Sequence, residues 1–369
     1  MGSRHAARRT VTALLLASCV LTACATAGPA VTPTSRTSDT SVPATSAPAS
    51  TPTFTPAIPD AAPVEPLTGR PLADPALLTR PAVVVKVSDV PEAYPQVGLN
   101  DADLVFVEPN GVAYTRLAAV FHSTLPERVG PVRSLRPADV PLFSPMHATL
   151  ASSMAAEWVM NYVNDSPGLQ SLGTLQVPRS SGVYTIDRTR RSPNHVFAHP
   201  DAVAGLARHT GAPAPYFTWA PSAATASTST GTPARRLDVS YGVSGQPFRV
   251  RWDFDAATGR YQRQVPWGRH VLADGSRVSA DTVLVIECHW ELGKIFRGRG
   301  APDPVLSLID GRGAFVAASG GRVVRGTWTK GAASDLFELT TDDGLPLALA
   351  PGRTWVELPK EGADVRVEG

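Results

Sequence analysis

Cysteine is scarce in this chain of 369 residues, which has only Cys19, Cys24 and Cys288. The first two lie inside or at the end of an N-terminal export signal. The mature chain therefore keeps one unmodified thiol, has no intrachain disulfide, and must rest its exported fold on an apolar core. An excess of one charge sign is missing too. The 34 Lys and Arg against 32 Asp and Glu leave a formal net charge of +2, without the basic surplus of a general nucleic-acid binder, so no nucleic-acid partner is expected. After the N-terminus no apolar run approaches the roughly 20 residues that a membrane-spanning helix requires. The sequence also lacks G-x-S-x-G, H-E-x-x-H, C-x-x-C and G-x-x-x-x-G-K, the signatures of several common hydrolases, zinc sites, redox sites and phosphate-binding loops. Asn194-His195 sits beside Arg188, Arg190 and Arg191, with no carboxylate or cysteine at ligand spacing from the histidine. That knot is basic rather than metal-like, and no metal and no cofactor is expected.

What is present begins with Arg4, Arg8 and Arg9, an apolar run over residues 11–21, and Leu21-Thr22-Ala23-Cys24. A charged leader, a short apolar stretch and small residues ahead of a cleavage point make residues 1–24 an export signal. A cysteine directly after small residues resembles the bacterial lipobox, whose sulfur takes a diacylglycerol and becomes the new N-terminus. Cys24 is therefore expected to be lipidated and to hold the chain on the extracytoplasmic side of the cell membrane. The alternative is plain secretion with a free Cys24 thiol. Arg8 next to Arg9 leaves the twin-arginine route open beside the general one. Residues 25–65 are mostly Ala, Thr, Ser and Pro, which cannot bury enough surface to offset ordering entropy, so they read as a disordered tether. At about 3 Å per residue, such a Pro-rich tether reaches roughly 100 Å.

The rest reads as an α+β protein: a mixed α/β layer domain over 66–211, a linker over 212–235, and an all-β sandwich or barrel-like domain over 236–363. In the first part, near-continuous β-branched or apolar runs at 81–87, 103–108 and 115–122 predict buried strands. Helices are predicted after Pro137 and over 155–163 and 200–209. In the last part, 248–254 and 260–263 alternate about the turn residues 255–259, which predicts a hairpin. Further strands follow at 278–289, 304–308, 314–317, 322–330, 337–340 and 354–358. Cys288 falls at the end of a run that reads as a buried strand, so an inert core thiol is expected. Trp252, Trp328 and Trp355 are expected in the core rather than on a sugar-stacking face.

The chemistry-bearing stretch is 126–137, Pro-Glu-Arg-Val-Gly-Pro-Val-Arg-Ser-Leu-Arg-Pro. Arg133 and Arg136 stand three apart around Ser134, just ahead of a predicted helix, and their planar forks could converge on a carboxylate or phosphate. Equally, such arginines can tie structure together. Glu108, Arg116 and His122 fall at or near the ends of predicted strands, where they could meet the arginines in one cleft. His122 with Ser134 could form a base and nucleophile, or each could simply be satisfied by nearby backbone.

Taken together, Pro66-Leu-Thr-Gly-Arg-Pro-Leu, Pro95-Gln-Val-Gly-Leu-Asn-Asp-Ala-Asp, Tyr114-Thr-Arg-Leu-Ala-Ala-Val-Phe and Arg128-Val-Gly-Pro-Val-Arg-Ser-Leu-Arg-Pro resemble, in order and spacing, the YerB-like bacterial lipoproteins. Trp267-Gly-Arg-His with Asp274, Gly326-Thr-Trp-Thr-Lys330 and Gly352-Arg-Thr-Trp-Val extend the resemblance through the second half. The resemblance implies an exported, membrane-anchored, two-domain protein without an assigned activity. It marks Gln96, Asp101, Asp103, Arg116, Arg133, Ser134 and Arg136 as candidate site residues, with Trp328, Lys330 and Trp355 in the second part. The expected function is an envelope lipoprotein that binds an anionic ligand, or a cell-wall or envelope protein partner, through an arginine-rich cleft. The alternative is a cell-wall-modifying hydrolase or transferase using Ser134, His122 or a carboxylate of the 96–108 stretch. Solute capture for an importer fits less well, because its usual form has two similar α/β lobes.

Overall fold

The computed structural model describes residues 63–111, 114–241, 248–293 and 304–369. The export signal, Cys24 and residues 25–62 of the tether lie outside them. Strands predominate. In chain order they are β1 (Val83–Asp89), β2 (Leu104–Asn110), β3 (Tyr114–Phe121), β4 (Thr149–Ser152), β5 (Gln170–Gly173), β6 (Tyr184–Ile186) and β7 (Val196–Ala198). Then come β8 (Thr232–Pro233), β9 (Arg236–Ser240), β10 (Arg249–Asp255), β11 (Arg260–Val265), β12 (Gly268–Arg269), β13 (Ser279–Ala280) and β14 (Thr282–Ile286). The last are β15 (Trp290–Leu292), β16 (Pro304–Leu306), β17 (Gly311–Ser319), β18 (Arg322–Lys330), β19 (Glu338–Thr341), β20 (Thr354–Glu357) and β21 (Val365–Glu368). The α-helices are short: α1 (Asp139–Phe143), α2 (Glu157–Asn164) and α3 (Pro200–Gly205). The mixture of helix and strand expected of the N-terminal part is present, and so is the strand-rich C-terminal part. The helix predicted over 200–209 stops at Gly205, a residue that weakens a helix interior.

The strands assemble into one large mixed sheet, a smaller one, and two separate two-stranded pairs, β6 with β7 and β15 with β16. The large sheet runs β19-β18-β17-β14-β20-β2-β3-β1-β4-β5, with β8 added to β18. At its centre β20 lies parallel to both β2 and β14, pairing Trp355 with Val105 on one side and Val283 on the other. A strand from the end of the chain thus joins N-terminal to C-terminal strands. The smaller sheet runs β12-β11-β10-β9-β21, with β13 on β11. C-terminal strands are therefore divided between the two sheets rather than closing on one another alone. The hairpin between β10 and β11 turns where the sequence predicts: the Asp255 side chain accepts from the Ala257 amide at 3.1 Å, and Gly259 takes φ +69°, a value that costs glycine little.

Because strand side chains alternate between faces, the large sheet carries two cores. On one face, Val84, Phe106, Val120, Leu284 and Val356 pack with α1, α2, Tyr216 and Phe217. On the other, Val85, Val105, Leu117, Val283 and Trp355 pack with Leu237, Val239, Val250, Trp252 and Tyr261 of the smaller sheet. The 212–235 segment lies on the first core through its aromatics. The Tyr216 hydroxyl donates to the Leu142 carbonyl at 3.0 Å, and the Trp219 indole donates to the Pro66 carbonyl at 3.0 Å. Trp252, Trp328 and Trp355 are buried, as is Cys288, whose thiol pKa burial pushes up.

One buried ionic cluster joins the sheets. Arg263 of β11 is wholly buried, with Nη2 2.9 Å and Nη1 3.4 Å from the two Asp89 oxygens at the end of β1. Its Cζ stands 5.1 Å from the Trp355 ring, and its Nε lies 3.9 Å from Glu357 Oε1. Asp89 also accepts from the Tyr94 hydroxyl at 2.7 Å and the Thr115 hydroxyl at 2.5 Å. Burial alone would raise the Asp89 pKa, but the charge and hydrogen bonds of Arg263 hold it well below the usual carboxylate range. His270 Nδ1 lies 3.0 Å from Arg263 Nη1. Guanidinium only donates, so Nδ1 accepts and Nε2 carries the proton. Burial and then Arg263 depress the His270 pKa well below its ordinary value, which fits a neutral ring. Its Nε2 donates to Gln96 Oε1, while Gln96 Nε2 donates to the Ser88 carbonyl at 2.7 Å.

Candidate functional site

The sheet face that meets α1 is apolar over most of its area but charged at one end. On β1 the residues facing α1 run Val84, Lys86, Ser88; on β2, Phe106, Glu108, Asn110; on β3, Val120, Ala118, Arg116. Pairing brings Ser88 opposite Arg116 and Arg116 opposite Glu108. Lys86 is fully buried, and its Nζ lies 2.5 Å from Glu108 Oε1 and 2.5 Å from Asp139 Oδ1. Asp139 opens α1, where a carboxylate suits the helix dipole, and its Oδ2 accepts from the Arg136 amide at 2.7 Å. The lysine thus anchors both a central strand and the start of the helix that carries the arginine stretch.

That stretch is held as an added strand. Val132 bridges Val87, the Arg133 amide donates to the Lys86 carbonyl at 2.8 Å, and the Arg133 carbonyl accepts from the Ser153 amide at 3.0 Å. The Leu135 amide donates to the Met154 carbonyl at 3.1 Å, and Met154 itself takes φ +86°. A bulky residue in that conformation is strained, and such strain clusters at functional sites. Arg136 donates to the Leu135 carbonyl at 2.9 Å and to Asn110 Oδ1, the same oxygen that accepts from Arg116 Nη2 at 3.1 Å. Arg133 is half-buried. Its Nε makes a long contact of 3.3 Å to Ser88 Oγ, and among the described residues its terminal nitrogens have no acceptor. Burial first, and the neighbouring Arg136 charge second, lower the Arg133 pKa. Among the described residues, Lys86 is paired with Glu108 and Asp139, and Arg116 and Arg136 converge on Asn110 Oδ1. Among the described residues the cationic fork of Arg133 is open.

Glu108 is shifted as well. Burial, the largest influence, raises its pKa; Lys86 pulls it down and Asp139 pushes it up again, and the carboxyl ends at about 7. Its Oε2 is buried without a hydrogen-bond partner among the described residues. A folded-state pKa above the unfolded value means that stability is fully present below the unfolded pKa and is lost as pH rises through the folded one. Wild-type protein is therefore expected to lose stability between about pH 5 and pH 8, whereas Glu108→Gln, which leaves Lys86 paired with Asp139, should flatten that decline. Denaturant titrations of both proteins at the two pH values check this, and parallel declines would refute it.

The structure brings Arg116, Arg133, Ser134 and Arg136 together, with Ser134 Oγ 3.4 Å from Ser153 Oγ. It places the other three candidates elsewhere. Gln96 belongs to the ionic cluster on the opposite face, because the chain after β1 folds toward the smaller sheet. Asp103 is buried as a loop brace, accepting from the amides of His122 at 2.6 Å and Ser123 at 2.9 Å and from the Ser123 hydroxyl. Burial pushes its carboxyl up to about 6 against those bonds. Asp101 is exposed at the end of a short 3-10 helix, and partial burial raises its pKa against the pull of Arg353. His122 Nε2 lies 3.0 Å from the Leu77 carbonyl, and burial lowers its pKa, so its ring is engaged apart from Ser134. Sequence reading missed Lys86, Asn110 and Asp139 as members of the site. A lysine inside the run Val83-Val84-Val85-Lys86-Val87 was the available signal, because a cation in a buried strand requires buried carboxylates.

A family model described as "Protein of unknown function (DUF3048) N-terminal domain" matches residues 67–213, and one described as its C-terminal domain matches residues 237–356. Among curated proteins, "Putative lipoprotein YerB" of Bacillus subtilis (strain 168) is 45% identical over 71 residues, 19% of this chain and 21% of that protein's length. The crystal structure of YerB protein from Bacillus subtilis superposes with a TM-score of 0.69 at 20% identity, covering 82% of this chain and 99% of that one. At that identity the likeness is one of fold.

Proposed function

The chain belongs to the DUF3048 family, and from that membership and the geometry above we propose that it is an envelope lipoprotein, anchored to the cell membrane through a lipid on Cys24, that binds an anionic ligand or partner through Arg133, Arg136 and Arg116. The lipobox at residues 21–24 and the name carried by the Bacillus relative support the anchor. Among the described residues no helix is long and apolar enough to cross a membrane.

One observation carries the binding reading: Arg133 holds a half-buried guanidinium whose terminal nitrogens have no protein acceptor among the described residues. A partly desolvated cation is costly until an anion reaches it, and a guanidinium fork matches the two oxygens of a carboxylate or phosphate. Each charge-assisted hydrogen bond lost should weaken binding by about 1.5–3 kcal/mol. Arg133→Ala is accordingly expected to raise the Kd for soluble anionic cell-wall fragments, or for inorganic phosphate, by roughly ten- to a hundredfold. Arg133→Lys, which keeps the charge without the fork, should recover only part of the affinity. Calorimetric titration with unchanged circular dichroism decides the matter, and an Arg133→Ala protein that binds as the parent does would remove the assignment.

A further inference from the structure

Close in the chain to the segment that braces Arg133, helix α2 presents an outer face left exposed among the described residues. The helix begins four residues after Ser153, whose amide donates to the Arg133 carbonyl. Its inner face buries Val159, Met160 and Val163 in the core. On the outer side Trp158 and Tyr162 stand one turn apart, 44% and 37% exposed, with exposed Asn161 between them in sequence. Among the described residues neither ring packs against another aromatic, and neither the Trp158 indole N–H nor the Tyr162 hydroxyl has a hydrogen-bond partner. A surface helix is ordinarily polar on this side. Large rings with open faces and unspent polar ends mark a surface that meets something partly apolar and partly hydrogen-bonding.

We propose that the ligand of the arginine site is an anionic glycan, its phosphate or carboxylate held by Arg133 and its neighbouring sugar rings stacked on Trp158 and Tyr162. This rests on the anion-binding reading and narrows it. The C–H faces of a pyranose match flat aromatic rings, and its hydroxyls match the indole N–H, the tyrosine hydroxyl and the Asn161 amide. An aliphatic partner would leave those polar groups unmet, at a cost. The open Arg133 fork gives the charge complementarity that selects an acidic sugar over a neutral one. Glu157, in the first turn of the helix, opposes an anion at that spot, which directs the charged end of the ligand toward the arginines and the uncharged rings along α2.

The test compares five probes by titration calorimetry: inorganic phosphate, a neutral N-acetylglucosamine disaccharide, phosphorylated and uronic-acid disaccharides, and phosphatidylglycerol vesicles. At least one acidic disaccharide should bind tenfold or more tighter than either phosphate or the neutral disaccharide. Trp158→Ala and Tyr162→Ala should remove most of that gain while leaving the phosphate Kd within twofold; both side chains are exposed, so the fold should tolerate these changes. Arg133→Ala should weaken phosphate and acidic glycan alike. If phosphate binding responds to Arg133→Ala but neither acidic disaccharide gains over it, or the gain survives both aromatic replacements, the glycan assignment fails and the anion site stands. A gain seen instead with phosphatidylglycerol vesicles, and lost in Trp158→Ala, would overturn the glycan in favour of a lipid surface. If no probe responds to Arg133→Ala, both readings fall.

Discussion

Replacing Arg263 with methionine should destabilise the protein by about 3–5 kcal/mol, the usual consequence of removing one partner of a buried ion pair, and lower its Tm by roughly 10 °C. Methionine fills similar volume, so lost packing contributes little; the damage comes from Asp89. Without the guanidinium the Asp89 carboxylate keeps only hydroxyl donors, Tyr94 and Thr115, and the Gln96 amide at 3.4 Å. Burial then pushes its pKa upward instead of Arg263 holding it down. In the parent, a depressed folded-state pKa contributes stability above the unfolded value, lost only as pH falls through the folded one. In the variant that contribution is gone, so the deficit should be greatest at neutral pH and shrink in acid. Arg263→Met combined with Asp89→Asn should regain part of the loss. Chemical denaturation of the three proteins at pH 5 and pH 7.5 measures this; a deficit under 1 kcal/mol at neutral pH would mean that the cluster does not hold the sheets together.

Lys86→Met should cost a similar amount, about 3–5 kcal/mol, but with the opposite beneficiary. Two carboxylates, Glu108 and Asp139, lose the cation they share, and the latch between β1 and the start of α1 opens. Glu108 already sits near neutrality, so the variant can shed part of the strain by keeping a proton there. The loss should therefore be larger at pH 8 than at pH 6. Adding Glu108→Gln should recover stability most at the higher pH, and a variant whose deficit is the same at both values would contradict the shared-cation geometry.

The contrast between these two cation sites explains how much could be read from sequence. Strand positions were legible because β-branched runs and alternation are local: 322–330 is found as β18, and the hairpin around 255–259 forms with the turn residues predicted. The arginine stretch was legible because proline and glycine isolate it. The partners were not. Asp89 and Arg263 are 174 residues apart, and no local pattern reports which distant residue will meet a buried charge. Gln96 and Asp103 were marked by the family resemblance, yet alternation and loop direction send one to the opposite face and the other into a brace for residues 122 and 123. Trp158 and Tyr162 fell inside a predicted helix, and only the fold shows that their side of it is bare.

The placement of β20 between β2 and β14 also sets an order of events. As the polypeptide is synthesised, N-terminus first, the middle position of its largest sheet stays vacant until residues 354–357 have been made. Until then β2 and β14 each present an unpaired edge, the kind of surface that invites pairing with another chain. Completion must wait for nearly the whole length, and the incomplete chain would need guarding during that interval. A fragment ending before residue 354 should consequently behave as a sticky half-sheet rather than as a smaller version of the same protein.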